Sequence, residues 1–526
     1  MTTRRLPGLR SVLALCTALA LVALVATGCG GSSKSGAAGA AGTDGRAAQA
    51  FPASTAAFID ANIDETSTAW KQLLALGQRF PSWPKLVTEF NKAANDATDD
   101  GPTLAQLRSW LGSEIAIGVL DVPTGGADPT VLGFADVRDK AQLKAAIVKD
   151  EDTRALGTHG GYDLLGSDDD AVIALSEDTA LISNSRAAAQ AAIDRLAGTG
   201  DRLSDVAAFK DTLSSLASDN IVVGYAPGSV LQKLVALGRQ KDPKVFDQSA
   251  TQDQFKQVAD ALASVRSFGF SLGATDKGLR MRGTTLMNSG AKELSSPYEP
   301  TLLSRVPASA WFAASFGDIG TNAKSTVDQA LRSNPSAQQQ VTQAEAALGI
   351  KLDDVYALLS GEHALFAGPG APLSAGMILH PEDIPKGAAT LKALTKLLTQ
   401  QGIPFTDTAD GQSAAVQGFA VRWRAAADAI GIGTDPSVGD VVKDSIVDSE
   451  KFKRVLAEDG VDLDSKTLGL AYVDVPSLIN LASAFGAFKD AGDKEALENL
   501  KHVGGLLFWS ARDGDTVTSD VFVEST

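Results

Sequence analysis

An α+β fold in two tandem related domains is what the sequence predicts, each a mainly antiparallel β-sheet with helices packed on one face. Three observations carry that expectation. The chain has 526 residues, 44% hydrophobic and 21% charged, a globular composition too long for one core and suited to more than one domain. The chain also echoes itself at a spacing of nearly half its length. Finally, short β-type runs joined by tight turns alternate with segments of helical spacing, which favours antiparallel pairing.

The N-terminus comes first. Arg4, Arg5 and Arg10 form a positive region, Ser11 to Ala26 is an uncharged apolar run, and Thr27 and Gly28 are small. This is the three-part layout of a secretory signal peptide over residues 1–28. A twin-arginine route is disfavoured by Pro7. A permanent membrane helix needs about 20 apolar residues, and this run is shorter. Residues 29–50 follow as a Gly/Ala/Ser stretch without bulky apolar side chains, expected to be a flexible tether with a reach of about 25 Å.

The body is expected as domain 1 over 51–290 and domain 2 over 291–526, joined within Asn288 to Pro307. The repetition pairs Pro52 with Pro307, Glu114 with Glu362, Phe209-Lys210 with Phe452-Lys453, and Tyr225 with Tyr472. Its period is far longer than the roughly 20–50 residues of solenoid repeats. "SEIAIGVLDV", "TVLGFADV" and "GYDLLGSDDDAVIALSEDTALISNS" read as strands and turns. "KAQLKAAIVKD", "SRAAAQAAIDRLAG" and "LKALTKLLTQQG" have helical spacing. Glu65 to Ala97 reads as mostly helical, broken near Pro81 and Pro84. Both ends of the repeat, "FGFSLGATDKGLRMRG" and "GLLFWSARDGDTVTSD", read as hairpins.

Charge and cysteine content bound the function. The formal net charge of −16 becomes −16 − 3 = −19 once the three arginines of residues 1–28 are removed. Such a surface repels phosphate backbones and argues against nucleic acid as a partner. The two cysteines, Cys16 and Cys29, both precede the body, so no disulfide can form inside it. The four histidines, His159, His363, His380 and His502, show no metal-ligand spacing, and no cofactor is expected.

Candidate catalytic motifs each meet a plainer reading. Gly269-Phe270-Ser271-Leu272-Gly273 matches G-x-S-x-G, but that motif works on a strand-to-helix turn, and Ser271 is expected inside a hairpin strand, aligned with Phe508 of the second half. Ser167-Asp168-Asp169-Asp170 and Thr98-Asp99-Asp100-Gly101 lack the alternation and closing glutamate of a calcium loop and read as turns. Gly361-Glu362-His363 juxtaposes an acid and a base. Its counterpart, Ser113-Glu114-Ile115, has no histidine, so a structural role for both glutamates is preferred. Gly431-Ile432-Gly433 is followed by Pro436 and Ser437, where a dinucleotide fingerprint needs glycine.

Two resemblances complete the reading. Ala26-Thr27-Gly28-Cys29 resembles the lipobox of bacterial lipoproteins, departing from it at Ala26. That resemblance implies cleavage before Cys29, a diacylglyceryl group on its sulfur and attachment to the extracytoplasmic face of the cell membrane. The run from Phe51 to Phe90, with "LRSWLGSEIAIGVL" and "TVLGFADVRDKAQLKAAI", resembles a secreted bacterial family known as domain of unknown function 3352. It implies export and a two-part body and carries no catalytic residues. The expectation is therefore a lipoprotein of unknown activity, most simply a non-catalytic binding protein meeting an envelope protein or small ligand. The alternatives are a lipid or small-ligand carrier, or a hydrolase whose site is assembled from distant residues.

Overall fold

The computed structural model describes residues 45–97, 102–123, 127–149, 153–166, 171–216, 220–241, 259, 262–289, 296–370, 373–416, 418–488 and 490–526. The signal segment 1–28, Cys16, Cys29, the tether up to residue 44, and the aspartate turns at 98–101 and 167–170 lie outside the described residues.

The fold is α+β, as the sequence predicts. The chain separates into two compact units, one running to Ala291 and taking in 515–518 and Ser525, the other running from Lys292 to Gly514 and taking in 519–524 and Thr526.

In the first unit the strands are β1 (Ala57–Asn62), β2 (Leu111–Val119), β3 (Val131–Val137), β4 (Arg154–His159), β5 (Tyr162–Gly166), β6 (Val172–Leu175), β7 (Thr179–Ser183), β8 (Asn220–Pro227), β9 (Val265–Ala274) and β10 (Gly278–Met287). They form one antiparallel sheet in the order β4-β5-β6-β7-β3-β2-β1-β8-β9-β10.

The second unit holds β11 (Phe312–Gly317), β12 (Glu362–Gly368), β13 (Ser374–His380), β14 (Thr406–Asp407), β15 (Gly411–Val416), β16 (Phe419–Ala425), β17 (Ile430–Gly433), β18 (Gly469–Asp474), β19 (Val503–Asp513) and, of β20 (Thr516–Ser525), residues 519–524. Its order is β14-β15-β16-β17-β13-β12-β11-β18-β19-β20. Each strand occupies the place held in the first sheet by the strand ten earlier.

Register repeats along with order. Asn62 lies opposite Glu114 and Phe58 opposite Tyr225, while Gly317 lies opposite Glu362 and Ala313 opposite Tyr472. Tyr225 then faces Gly269, and Tyr472 faces Leu507. Two residues on, Ser271 corresponds to Trp509, so the alignment of Ser271 with Phe508 is one residue out. The ladder fixes what a sequence match between dissimilar strands could not.

Helices cover both faces of the first sheet, where one was expected. Strand alternation makes this plain: Val223, Ala116, Phe134 and Leu181 enter one core, and Val222, Ile115 and Ala180 the other. The first core is closed by Ala47–Ala50, Arg186–Leu196 and Ala207–Ser214, and the second by Thr68–Gly77, Leu104–Trp110 and Lys140–Ile147. Burial on both sides also explains the nearly continuous apolar run of β8, "IVVGYA".

A chain of edge-on aromatic contacts runs through the first core. Phe51 meets Phe58 at 5.0 Å, Phe58 meets Phe209 at 5.7 Å, and Phe209 meets Tyr225 at 5.1 Å. Its twin keeps only the last step, Phe452 to Tyr472 at 5.1 Å, because alanine stands at position 313.

The end of the expected tether belongs to the fold. Residues 47–50 form a short helix in which Ala47, Ala48 and Ala50 are buried. Small side chains carry no hydrophobic signature, and here they let the backbone lie close against the first core.

Candidate functional site

The two glutamates paired by the repeat stand at equivalent places, at the start of β12 and four residues into β2. Each receives the N-terminal end of a short helical turn. The backbone N–H groups of Arg46 and Ala47 each donate to Glu114 at 3.1 Å. Glu362 accepts from the N–H of Thr301 at 3.1 Å, its hydroxyl at 2.6 Å, the N–H of Leu302 at 2.8 Å and the hydroxyl of Ser315 at 3.1 Å. Helix starts leave N–H groups unpaired, and a carboxylate satisfies them.

Local sequence sets up both seats. The turn Thr301–Arg305 follows Pro300 and buries Leu302 and Leu303. The chain then makes an isolated antiparallel bridge, Pro307 to Ser445, as Pro52 does to Arg202 in the first unit.

The Glu114 seat is the more charged. Arg46 donates to the Thr179 hydroxyl at 2.9 Å and lies 3.1 Å from Asp178 and 3.6 Å from Asp136. Ser113 donates to Asp136 at 3.1 Å. Burial pushes the Glu114 carboxyl up to about 7, helped by the neighbouring Asp136 charge and opposed by the N–H groups of Ala47 and Arg46. Glu362 is also raised by burial, against the donors from Thr301, Leu302 and Ser315. A second clamp holds the far end of the same segment, where buried Arg195 donates to the Ala50 carbonyl at 2.9 Å.

Glu362 and His363 do not form an acid–base pair. As neighbours on a strand they point to opposite faces. His363 is fully buried, with its ring edge-on to Phe316 at 5.6 Å. Its Nε2 lies 2.8 Å from the Leu359 carbonyl and its Nδ1 2.8 Å from the Glu362 carbonyl. Burial lowers its pKa, opposed by those two carbonyls. With both nitrogens against the backbone, this imidazole has no direction in which to serve a substrate.

Ser271 lies in the middle of β9, buried and directly opposite Arg282 and Val223. It is a strand residue, without the sharp turn a nucleophile elbow requires. Gly431 and Gly433 are in β17; an added Cβ at Gly431 would meet the Val438 carbonyl oxygen at 2.2 Å, so the close return of the following turn accounts for that glycine. Among the described residues, no group of three or more His, Cys, Asp or Glu could hold a metal ion, and no helix is long and apolar enough to cross a membrane. The Arg46 and Asp136 parts of the Glu114 cluster escaped the sequence reading. The only signal for them was the repeated glutamate itself.

A family model described as Protein of unknown function (DUF3352) matches residues 104–417. The run from Phe51 to Phe90 lies before the matched residues. No curated protein matches the chain. Solved structures that share similarity with it include three crystal forms of TP0453. Form IV is 8% identical over 45% of this chain and 79% of that chain, with a TM-score of 0.27. Form III is 8% identical over 48% and 88%, with a TM-score of 0.27, and form I is 9% identical over 47% and 80%, with a TM-score of 0.26.

Proposed function

The chain belongs to the DUF3352 family of proteins of unknown function, and from that premise we propose that it is a lipid-anchored protein of the cell envelope with a non-catalytic binding role. The observation that carries the anchor is Ala26-Thr27-Gly28-Cys29, placed between an apolar run and a Gly/Ser-rich one. In this reading Cys29 becomes the first residue of the mature chain and bears the acyl groups. Two or more chains on one cysteine give stable attachment where one holds only marginally. The body then stands on the extracytoplasmic face of the membrane.

The non-catalytic part of the reading is supported by the fate of the two best chemical candidates. Glu362 and His363 serve separate structural tasks, and Ser271 is a buried strand residue. The repeated glutamate seats bind the chain's own backbone, so their polarity is already used.

Cys29→Ala, together with chemical blockade of the lipoprotein peptidase, tests the anchor. Both treatments should change the mass of the mature protein, and the variant should leave the membrane fraction. Unchanged mass and unchanged membrane retention would sink the proposal. Crosslinking of the native protein in envelope extracts, followed by identification of bound proteins and lipids, tests the binding role. Turnover of an envelope substrate lost on mutation of a single side chain would replace that role with catalysis.

A further inference from the structure

The helix Val475–Ala484 follows β18 and packs on β19. Its composition and its burial disagree. From Val475 to Phe488 the chain carries no charged residue, yet Val475 is the one buried residue of the helix. Leu478 is 37% exposed and Phe485 84% exposed. These two are seven residues apart, two helical turns, and so share one outward stripe.

Phe485 does not owe its exposure to a loose end. The helix terminates in a Schellman motif, with Gly486 at φ +81°, its N–H donating to Ser483 at 3.0 Å, and that of Ala487 donating to Ala482 at 3.0 Å. Phe485 is the capping residue of this ordered turn. Phe488 follows at φ +65°, a left-handed conformation that bulky side chains rarely adopt. The equivalent helix of the first unit, Gly228–Lys241, has three basic residues in its sequence, and its exposed Leu234 lies next to the exposed Lys233.

We propose that the tip of this helix, with Phe485 at its point and Leu478 behind it, dips into the acyl region of a lipid bilayer. The inference rests on the anchored reading above, which keeps a bilayer permanently near the body. Sixteen residue steps separate Cys29 from Gly45, at most about 55 Å of chain, so the local concentration of membrane is high. In a processed chain of net charge −16 − 3 = −19, an uncharged stripe is where a bilayer is approached with least repulsion and without desolvating an ion. The association should therefore be stronger on zwitterionic vesicles than on anionic ones, whose surface repels the rest of the acidic chain, and salt should narrow that difference.

The test uses the lipidated protein in phosphatidylcholine vesicles, with Ala487→Cys carrying an environment-sensitive fluorophore and Asp201→Cys as a control site. The 487 probe should shift to the blue and be quenched by brominated acyl chains, while the control stays aqueous. Adding Phe485→Asp should abolish both signals. An aqueous 487 probe on protein whose N-terminal mass shows a lipidated Cys29 overturns the insertion and leaves the anchor standing. If Cys29 proves unmodified, the anchor falls, and vesicles are added to the soluble chain instead. Phe485→Asp should then lower the bound fraction about tenfold or more. Equal partition of both proteins, or burial of the probe through self-association without lipid, overturns the insertion.

Discussion

Replacing Glu114 by glutamine separates the charge of the seat from its shape. In the fold this carboxyl is pushed up to about 7 from a reference of 4.5. Between those values the native state holds a proton that the unfolded chain has released. Stability from this group is therefore complete below about pH 4.5 and declines as pH rises through about 7. A difference of about 2.5 units at about 1.36 kcal/mol each comes to about 3 kcal/mol, and sharing of the field with Asp136 and Arg46 brings it nearer 2. Glutamine keeps one acceptor for the Arg46 and Ala47 N–H groups and loses the other, at a cost of about 1 kcal/mol. Glu114→Gln should thus be less stable than the parent at about pH 5 and more stable at about pH 8. Urea unfolding at the two pH values, with amide exchange at Ala47 and Ala48 as the local readout, measures the crossing. Parallel curves, or a parent that gains on the variant as pH rises, would refute the account of Glu114 as a buried and weakly compensated carboxylate.

Other consequences follow from the same contacts. Glu362→Ala removes the acceptor from Thr301, Leu302 and Ser315 and should cost about 2–4 kcal/mol, read as a lowered Tm; Glu362→Gln should recover part of it. Phe209→Ala deletes the ring between Phe58 and Tyr225 and should cost about 3–5 kcal/mol in urea unfolding. Ser271→Ala should leave any ester hydrolysis by the protein unchanged, and a loss of turnover would reinstate it as a nucleophile.

Much of the architecture is written locally and could be read. Alternation and turn residues mark β2, β3 and the hairpins, and the glutamate and tyrosine pairs reveal the repeat because both positions do the same work in both units. The second layer of helices was hidden. Val222 and Val223 look alike in sequence and face opposite cores, so an unbroken apolar run hides which side is covered. Residues 46–50 were misread for a different reason: alanine helix and alanine linker have the same composition, and the deciding partner, Glu114, lies 68 positions away. His363 was adjacent to Glu362 in sequence, but on a strand adjacency means separation.

The clasp on residues 46–50 also has a mechanical meaning. A pull on the chain from its N-terminal side meets the Glu114 carboxyl, the Arg46 ion pairs and the Arg195 contact with Ala50 before any load reaches β1. These contacts are polar, and they act together with the burial of Ala47, Ala48 and Ala50 in the first core. Behind that segment β1 is an interior strand of the sheet, paired with β2 on one edge and β8 on the other.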